Sequence, residues 1–563
     1  MIAAAGLLLS LPVLLQGPLP NAKDFANHLA RYLQFREQFW SGDFYPRWLQ
    51  GANAGLGSPV FFVYGPFFYY FASLFYPLCQ LLFGSVEHFE FRLSLAVAMM
   101  ASGVATYRWL RLLTSRTGAF AGAALYMAAP YHLWADLYVR CAAAELWAFV
   151  WLPTILYALE RIAISRRSGI LLMAVGATML LVTHILSVAL LLPFVAGYVL
   201  TFMQSHVRRT VFAGAIAGTA LASLLSSFYL LPALLYEQNI SVERFTSGPH
   251  YYYKDNFLVT DSSLFVWDAA GNPFKWYATW IAIALTLICL FSFLLCLNRG
   301  SRRNRLAVFA VVSAAVSLYL MTPWSAGVWD ALPMLQGLQF PWRFLLVLSA
   351  VSSLLFALAV GREGMAREPW GRLVEFALLL IAVASCALPS AHILWLYGKK
   401  AAMTPEYELL LRSRGDDLTR AWARWSDPET LEPAGLLRLS RETPPVVVAG
   451  GMGSGRIKRL GPREVQVFTD LSEPATVQIR QLYYPGWIVR VAGESASSPA
   501  GPAPRSGLTQ FIAPAGRHEL LVSLPKSTPE RLGEVMSGIG LLGCAILLIG
   551  GGASRTLGRL FRA

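Results

Sequence analysis

Charge is what this chain lacks most. Asp, Glu, Lys and Arg make up 14% of its 563 residues, against about 25% in an ordinary soluble domain. Hydrophobic residues make up 56%. This balance excludes a soluble globular protein and implies a polytopic membrane protein. Acidic residues are the scarcer kind, 32 against 46 Lys and Arg, so the net charge is +14. In a soluble chain that surplus would point to nucleic acid. Here the basic residues concentrate in short loops between apolar runs, the positive-inside pattern, and no nucleic-acid partner is expected. The six cysteines (Cys79, Cys141, Cys289, Cys296, Cys386, Cys544) lie in or beside apolar runs without ligand spacing. They read as small core residues, not as disulfides or a metal site. The chain has no Walker A loop, no Gly-x-Gly-x-x-Gly opening a helix, no Ser-His-Asp order that stands out and no internal repeat.

Long apolar runs are what is present. A short one covers 2–16; without a basic flank or a small-x-small cleavage site, it reads as an uncleaved first helix rather than a signal peptide. Others lie at 61–83, 91–113, 118–135, 143–160, 169–204, 210–232, 276–298, 306–322, 343–360, 373–390 and 533–552. A span needs about 20 residues, so 169–204 is too long for one and is expected to form a hairpin turning near His184 and Ser187. The basic clusters all fall on one side if 61–83, with Pro59, Pro66 and Pro77 and its aromatics, lies in the interface or re-enters. That gives about twelve spans, with both termini cytoplasmic. The external segments are then 18–90, 135–143, 233–275, 323–342 and 391–531.

The last of these reads as a separate domain. A charged helical stretch at 406–425 is followed by alternating strands at 446–449, 464–468, 476–482, 487–492, 508–512 and 519–524, punctuated by Pro and Gly. An antiparallel β-sandwich is expected, with 495–504 as a flexible loop. The expected division is a transmembrane part over 1–390 with its large first loop 18–90, a mainly-β domain over 391–531, and a final helix and basic tail over 532–563.

The densest polar stretch follows the first helix. Asp24, His28 and Arg31 fall at helical spacing on one face. Phe25, Leu29, Tyr32 and Leu33 form a neighbouring stripe suited to a bilayer surface. The turn Ser41-Gly42-Asp43 and a Gly- and Pro-rich run at 53–59 come next. A second polar knot, with Asp136, Tyr138, Arg140 and Glu145, is expected in a short external turn. Arg140 is out of place there under the positive-inside rule, which favours a specific use; the alternative is an Arg140–Glu145 pair that ties two helices together.

Asp24 just beyond a first helix, Ser41-Gly42-Asp43 and the Pro-aromatic run at 59–70 resemble the first external loop of GT-C glycosyltransferases. These are polytopic enzymes that take sugars from polyprenyl-phosphate carriers. With Tyr138-Val139-Arg140 and Glu145, Gln339-Phe340-Pro341-Trp342-Arg343 and Tyr483-Tyr484-Pro485-Gly486-Trp487, the chain is also similar to bacterial membrane proteins labelled "6-pyruvoyl-tetrahydropterin synthase-related". The last motif is similar to YfhO-like membrane glycosyltransferases too.

The resemblance implies a GT-C-like helical membrane protein with a C-terminal extracytoplasmic β-sandwich, placed in the inner membrane. It implies transfer of a sugar from a polyprenyl-phosphate donor to an external glycan, lipid or protein acceptor. Such chemistry needs a base for the acceptor hydroxyl, positive charge for the departing phosphate and an apolar groove for the lipid.

Asp24 is the candidate base; a helix N-cap is the alternative. His28 is placed with it to orient Asp24, touch the phosphate or help bind a metal, and Asp43 is a further catalytic candidate, or a plain turn residue. Arg140 and Arg343 are assigned to the phosphate, with snorkelling as the alternative for Arg343. Tyr138, Glu145 and His184 complete the substrate-side set. The aromatic run Tyr251-Tyr252-Tyr253 reads as a sugar platform or an interfacial belt. No metal ligands are assigned. The paired acidic motif of many GT-C enzymes is missing, since Phe25 and Ala26 follow Asp24, so a second acid and a divalent cation stay open. Two other classes compete: a flippase for lipid-linked sugars, disfavoured by nearly charge-free mid-span segments, and a non-catalytic envelope-glycan assembly factor.

Overall fold

The computed structural model describes residues 1–17, 24–84, 88–203, 205–236, 239, 251–265, 273–296, 301–361, 419–423, 425–451 and 453–560. Asn21, Lys23, the 373–390 run, and residues 406–418 of the charged stretch lie outside them. Among the described residues, eight helices are long and apolar enough to cross a membrane. They are Phe89–Leu110, Ala143–Ile164, Arg166–Thr183, Arg208–Leu235, Phe274–Cys296, Arg302–Leu320, Pro341–Val360 and Thr528–Ile549. Ile2–Gln16, Phe67–Phe83 and Ile185–Leu200 are apolar but shorter.

The centre of the bundle is the helix Leu345–Val360, in which every residue is buried. It is apolar on all sides, as a helix wrapped by other helices must be. Pro273–Cys296, Arg116–Ala128 and Ser301–Leu320 surround it. The final helix, Thr528–Leu560, is the most exposed and leans along Arg208–Leu235. Gly533 and Gly540 permit that approach: a Cβ on Gly533 would collide with the Ser227 carbonyl, and one on Gly540 would sit 2.9 Å from Leu225 N.

Three expectations change here. The run 118–135 is not one span. Helix Arg116–Ala128 ends at Ala129, which precedes Pro130 and takes an extended ψ of 128, the region to which a following proline restricts a residue. A separate π-helix, Tyr131–Arg140, follows. The expected external turn at 135–143 is therefore a buried helix end: Asp136 and Arg140 are 0% and 7% exposed. The run 169–204 breaks at His184 alone (φ −153, ψ 93). One residue is too short for the loop of a helical hairpin, and the flanking helices touch each other only lightly. Arg166–Thr183 lies on Ala143–Ile164 and Arg208–Leu235, whereas Ile185–Leu200 reaches Ser301–Leu320. Finally, the Phe25, Leu29, Tyr32 and Leu33 stripe faces protein rather than bilayer. All four are at most 2% exposed, and Phe25 and Tyr32 pack edge-on against Phe91 at 5.7 and 5.8 Å.

The C-terminal part is an antiparallel sandwich. With β1 Val446–Val448, β2 Gly453–Gly461, β3 Glu464–Leu471, β4 Ala475–Leu482, β5 Ile488–Val491, β6 Ser498–Pro499, β7 Gly501–Pro502, β8 Leu508–Ala513 and β9 Gly516–Ser523, one sheet runs β1-β4-β8-β7 and the other β2-β3-β9-β5-β6. Alternation aims Val465, Val467 and Leu471 of β3 and Val477 and Ile479 of β4 inward. Within the expected flexible loop 495–504, two short strands are paired: β6 with β5 in one sheet and β7 with β8 in the other.

The first loop belongs to this sandwich as much as to the membrane part. Trp48, Leu56 and Phe62 share one apolar core with Trp422, Tyr484 and Trp487. The Trp48 ring lies 5.5 Å from that of Trp487, and Leu482 N–H donates to the Leu56 carbonyl at 2.7 Å. Gly57 (φ +88) allows this, since a Cβ there would run into the Trp48 ring.

Candidate functional site

Asp24 stands at the start of the helix Phe25–Trp40 but makes no side-chain cap bond. Its carboxylate turns instead to the Arg140 guanidinium, with Oδ2 3.1 Å from Nη2. Its own N–H donates to the Arg140 carbonyl at 2.8 Å, so backbone and side chain both dock on one residue. The π-helix brings Arg140 there. Cys141 beyond it is left-handed (φ +53), and Ala142 N–H returns to the Asp136 carbonyl at 2.9 Å. The chain thus turns sharply and starts the Ala143–Ile164 helix with Glu145 in its first turn.

Arg140 therefore sits among three carboxylates. Nη1 donates to Asp136 Oδ1 at 3.0 Å and to Glu145 Oε2 at 3.1 Å, while Nη2 takes Asp24. Glu145 also accepts from Tyr131 Oη at 2.6 Å and faces Arg343 Nε at 3.5 Å. Arg343 Nη1 is held by the Leu338 carbonyl at 2.8 Å. Asp136 Oδ2 is buried without a hydrogen-bond partner. Burial, with Glu145 beside it, pushes the Asp136 carboxyl well above the usual range against the pull of Arg140.

Exposure separates the three acids. The Asp136 and Glu145 side chains are 0% and 2% exposed, and that of Asp24 is 35% exposed. Asp24 is the one acid of the group that opens outward.

Both expected histidines lie near this group. His184 accepts or donates at Nδ1 with Ser187 Oγ at 2.7 Å and lies within the electrostatic reach of Arg343, Glu145 and Arg140. The Gly65 backbone presses on the adjacent Thr183 carbonyl, where a Cβ would collide. The His28 ring does not orient the Asp24 carboxylate as anticipated; Nδ1 meets Tyr69 Oη at 2.9 Å. Burial, then Arg31, His184 and Arg140, hold the His28 imidazole well below its ordinary pKa. Arg31 lies with its guanidinium 4.7 Å over the Tyr64 ring.

Two residues fall elsewhere. Tyr138 Oη donates to the Leu9 carbonyl at 2.5 Å, fastening the first helix to the π-helix. Asp43 accepts from Gln38 Nε2 at 3.3 Å in a different charge group. There Glu530 at the start of the last helix meets Arg47 Nε of the first loop and Arg463 of the sandwich, each at 3.0 Å. Sequence reasoning gave no role to Tyr131, or to the Arg47–Glu530–Arg463 clamp. Tyr131 joins Asp136 and Arg140 through a π-helix, so a 3.6-residue period, which aligns Asp136 with Arg140 four residues on, does not add it to them. No group of three or more His, Cys, Asp or Glu with the geometry to hold a metal occurs among the described residues. The three acids at Arg140 aim their oxygens at the guanidinium rather than at a shared void.

The fold and site together define a polytopic helical membrane protein with a C-terminal antiparallel β-sandwich and an acid–guanidinium group where the first loop meets the bundle. Residues 61–394 match the family described as "6-pyruvoyl-tetrahydropterin synthase related domain; membrane protein", and the chain belongs to that family. No curated protein matches it by sequence. Among solved structures it is similar to the arabinofuranosyltransferase AftD from Mycobacteria, with 20% identity over 69% of this chain and 26% of that one, at a TM-score of 0.43. It is similar to the apo oligosaccharyltransferase of Archaeoglobus fulgidus, with 14% identity over 76% of this chain and 58% of that one, at a TM-score of 0.44. It is also similar to ArnT from Cupriavidus metallidurans, solved bound to undecaprenyl phosphate, with 14% identity over 77% of this chain and 72% of that one, at a TM-score of 0.36. The chain thus spans about a quarter of the length of AftD.

Proposed function

We propose that this protein is a membrane glycosyltransferase that moves a sugar from a polyprenyl-phosphate donor to an acceptor at the extracytoplasmic face of the inner membrane. The observation that carries this reading is the unequal exposure of the three acids around Arg140. Two are sealed in the bundle, and Asp24 alone reaches outward while its carboxylate is held in place. A fixed, partly exposed carboxylate backed by a buried ion network suits a general base.

In direct displacement, the acceptor hydroxyl gives its proton to Asp24 as its oxygen bonds to the anomeric carbon. The bond from that carbon to the phosphate oxygen breaks, and the polyprenyl phosphate leaves with the electron pair. Arg140 acts here as a positioning residue for Asp24, because its donors already serve three carboxylates. The phosphate falls to Arg343 and Arg31. His184 and His28 border the same region, and His28, kept neutral, offers a hydrogen bond rather than a charge. Asp43, which belongs to the sandwich clamp, takes no part. The sandwich and first loop, joined through a common core, form the wall against which an acceptor would be held.

Asp24→Asn is the direct test. Turnover with a panel of polyprenyl-phosphate sugars should fall by about 10²–10⁴-fold with donor binding unchanged. Transfer near the wild-type rate would remove Asp24 as the base, and no transfer by the wild type with any donor of the panel would favour the assembly-factor reading.

A further inference from the structure

The face of the bundle remote from Asp24 carries a cleft that the proposed chemistry does not use. The helix Phe89–Leu110 begins beside the first loop, where Glu90 binds Tyr32 and Arg36. It runs about 33 Å before reaching Arg111. The helix Leu345–Val360 likewise starts next to Arg343 and ends at Gly361. Arg111, Thr114, Ser115, Arg303 and Gly361, with Leu112 and Leu113, line a cleft of about 580 Å³ there, within the usual range for small-ligand pockets. No carboxylate is among these lining residues.

The cleft is built rather than incidental. Gly361 packs so closely on Thr114 that a Cβ would overlap its hydroxyl, and Gly118 abuts the Ala357 carbonyl in the same way. Thr114 Oγ1 donates to the Ala357 carbonyl at 3.2 Å. Ser115 caps the helix Arg116–Ala128 by accepting from Gly118 N–H at 3.2 Å. Arg111 Nη1 is braced by the Thr114 carbonyl at 2.7 Å, and Arg303 Nη2 by the Leu358 carbonyl. Arg303 Nε is buried with no hydrogen-bond partner. Both guanidiniums are half-buried, and among the described residues no acid of the cleft opposes them. The neighbouring Arg302 differs, being paired with Glu160 at 2.6 Å.

We propose that this cleft binds a phosphate-bearing anion, with Arg111 and Arg303 gripping the phosphate oxygens. Two braced guanidiniums beside hydroxyls match phosphate geometry better than a diffuse basic surface does. Basic pockets between helices at a membrane surface are suited to anionic headgroups, and the adjoining Leu112, 36% exposed, favours a phospholipid as the source over free phosphate.

Purified full-length protein in nanodiscs tests this. Lipid retention is measured by native mass spectrometry in discs of phosphatidylcholine with and without phosphatidylglycerol. Inorganic phosphate is titrated into the phosphatidylcholine discs. Arg111→Gln/Arg303→Gln should weaken phosphatidylglycerol retention about tenfold or more, while Arg208→Gln, an exposed arginine elsewhere, should not. Saturable phosphate binding in the wild type, lost in the double variant and without lipid preference, would support the site with a free anion as its source. Equal retention and equal phosphate binding in wild type and double variant would overturn the proposal, as would an equal loss in Arg208→Gln. Each single variant is measured alongside, which keeps the proposal falsifiable should the double variant misfold: no weakening in either single variant overturns it too.

Discussion

Removing Arg140 should destabilise the protein in a way that acid partly repairs. In Arg140→Gln, Glu145 keeps Tyr131 and Arg343 as partners, and Asp24 is exposed enough to be solvated. Asp136 keeps nothing: its side chain is fully buried, and its Oδ2 already lacks a partner. Breaking a buried ion pair costs about 3–5 kcal/mol. The buried acid escapes part of this by taking a proton, which sets a ceiling. Protonating a carboxyl with an unfolded pKa of about 3.9 costs about 1.4 kcal/mol per pH unit, so about 4 kcal/mol at pH 7 and about 1.5 at pH 5. The sign follows from burial, which already raises the Asp136 pKa. An acid with a raised folded pKa weakens the fold as pH climbs above its unfolded value; loss of Arg140, which pulls the Asp136 pKa down, raises it further, so the deficit of the variant should shrink on acidification. Denaturant midpoints in detergent at pH 7 and pH 5 would measure it. Asp136→Asn in the Arg140→Gln background should recover most of the loss at pH 7. A deficit independent of pH, or no recovery in the double variant, would refute the assignment of Arg140 as the partner of a buried charge.

Two further outcomes follow from the packing and from His28. Trp48→Ala should cost about 3–5 kcal/mol, as loss of a buried Trp does, and should expose the sandwich to proteases as strongly as Trp487→Ala. Unchanged protection would separate the first loop from the sandwich core. Because burial and the neighbouring cations hold His28 neutral, stability should fall as pH drops below about 6.5, and His28→Gln should lack that component. Identical pH slopes in wild type and variant would show that His28 is free to charge.

Much of the sandwich was legible because alternation is local. Val465, Val467 and Leu471 announce β3, and Val477 and Ile479 announce β4. Strand β2 has no such signal, because Arg456, Lys458 and Arg459 mask any inward stripe, as suits a sheet edge. Asp24, Arg140, Glu145, His184 and Arg343 could be singled out, since charge beside apolar runs is conspicuous. Beyond the Arg140–Glu145 pair, their arrangement could not. Ionisable residues at 136–145 read as solvent-facing, yet mutual pairing let them be buried. The contact of Asp24 with Arg140 joins residues 116 apart, and no periodicity reports on that. Tyr138 and Asp43 illustrate the converse: proximity to Arg140 and the Ser41-Gly42-Asp43 resemblance placed them with the site, and the direction of a side chain placed them elsewhere.

The shared core of first loop and sandwich has a consequence for how the protein is made. Asn53 and Thr419, hydrogen-bonded across that core, lie 366 residues apart. At about 5–20 residues per second, synthesis separates them by roughly 20 to 70 s. During that interval Trp48, Leu56 and Phe62 lack the sandwich side chains they pack against, and the loop that carries Asp24 waits with an apolar flank uncovered. Closure comes only when the last strands have been made and Glu530 of the final helix meets Arg47. A chain truncated before that point would hold its membrane helices and most of its charged group, yet present sticky aromatic residues at the surface. Chaperones and proteases would find there a direct mark of an unfinished molecule.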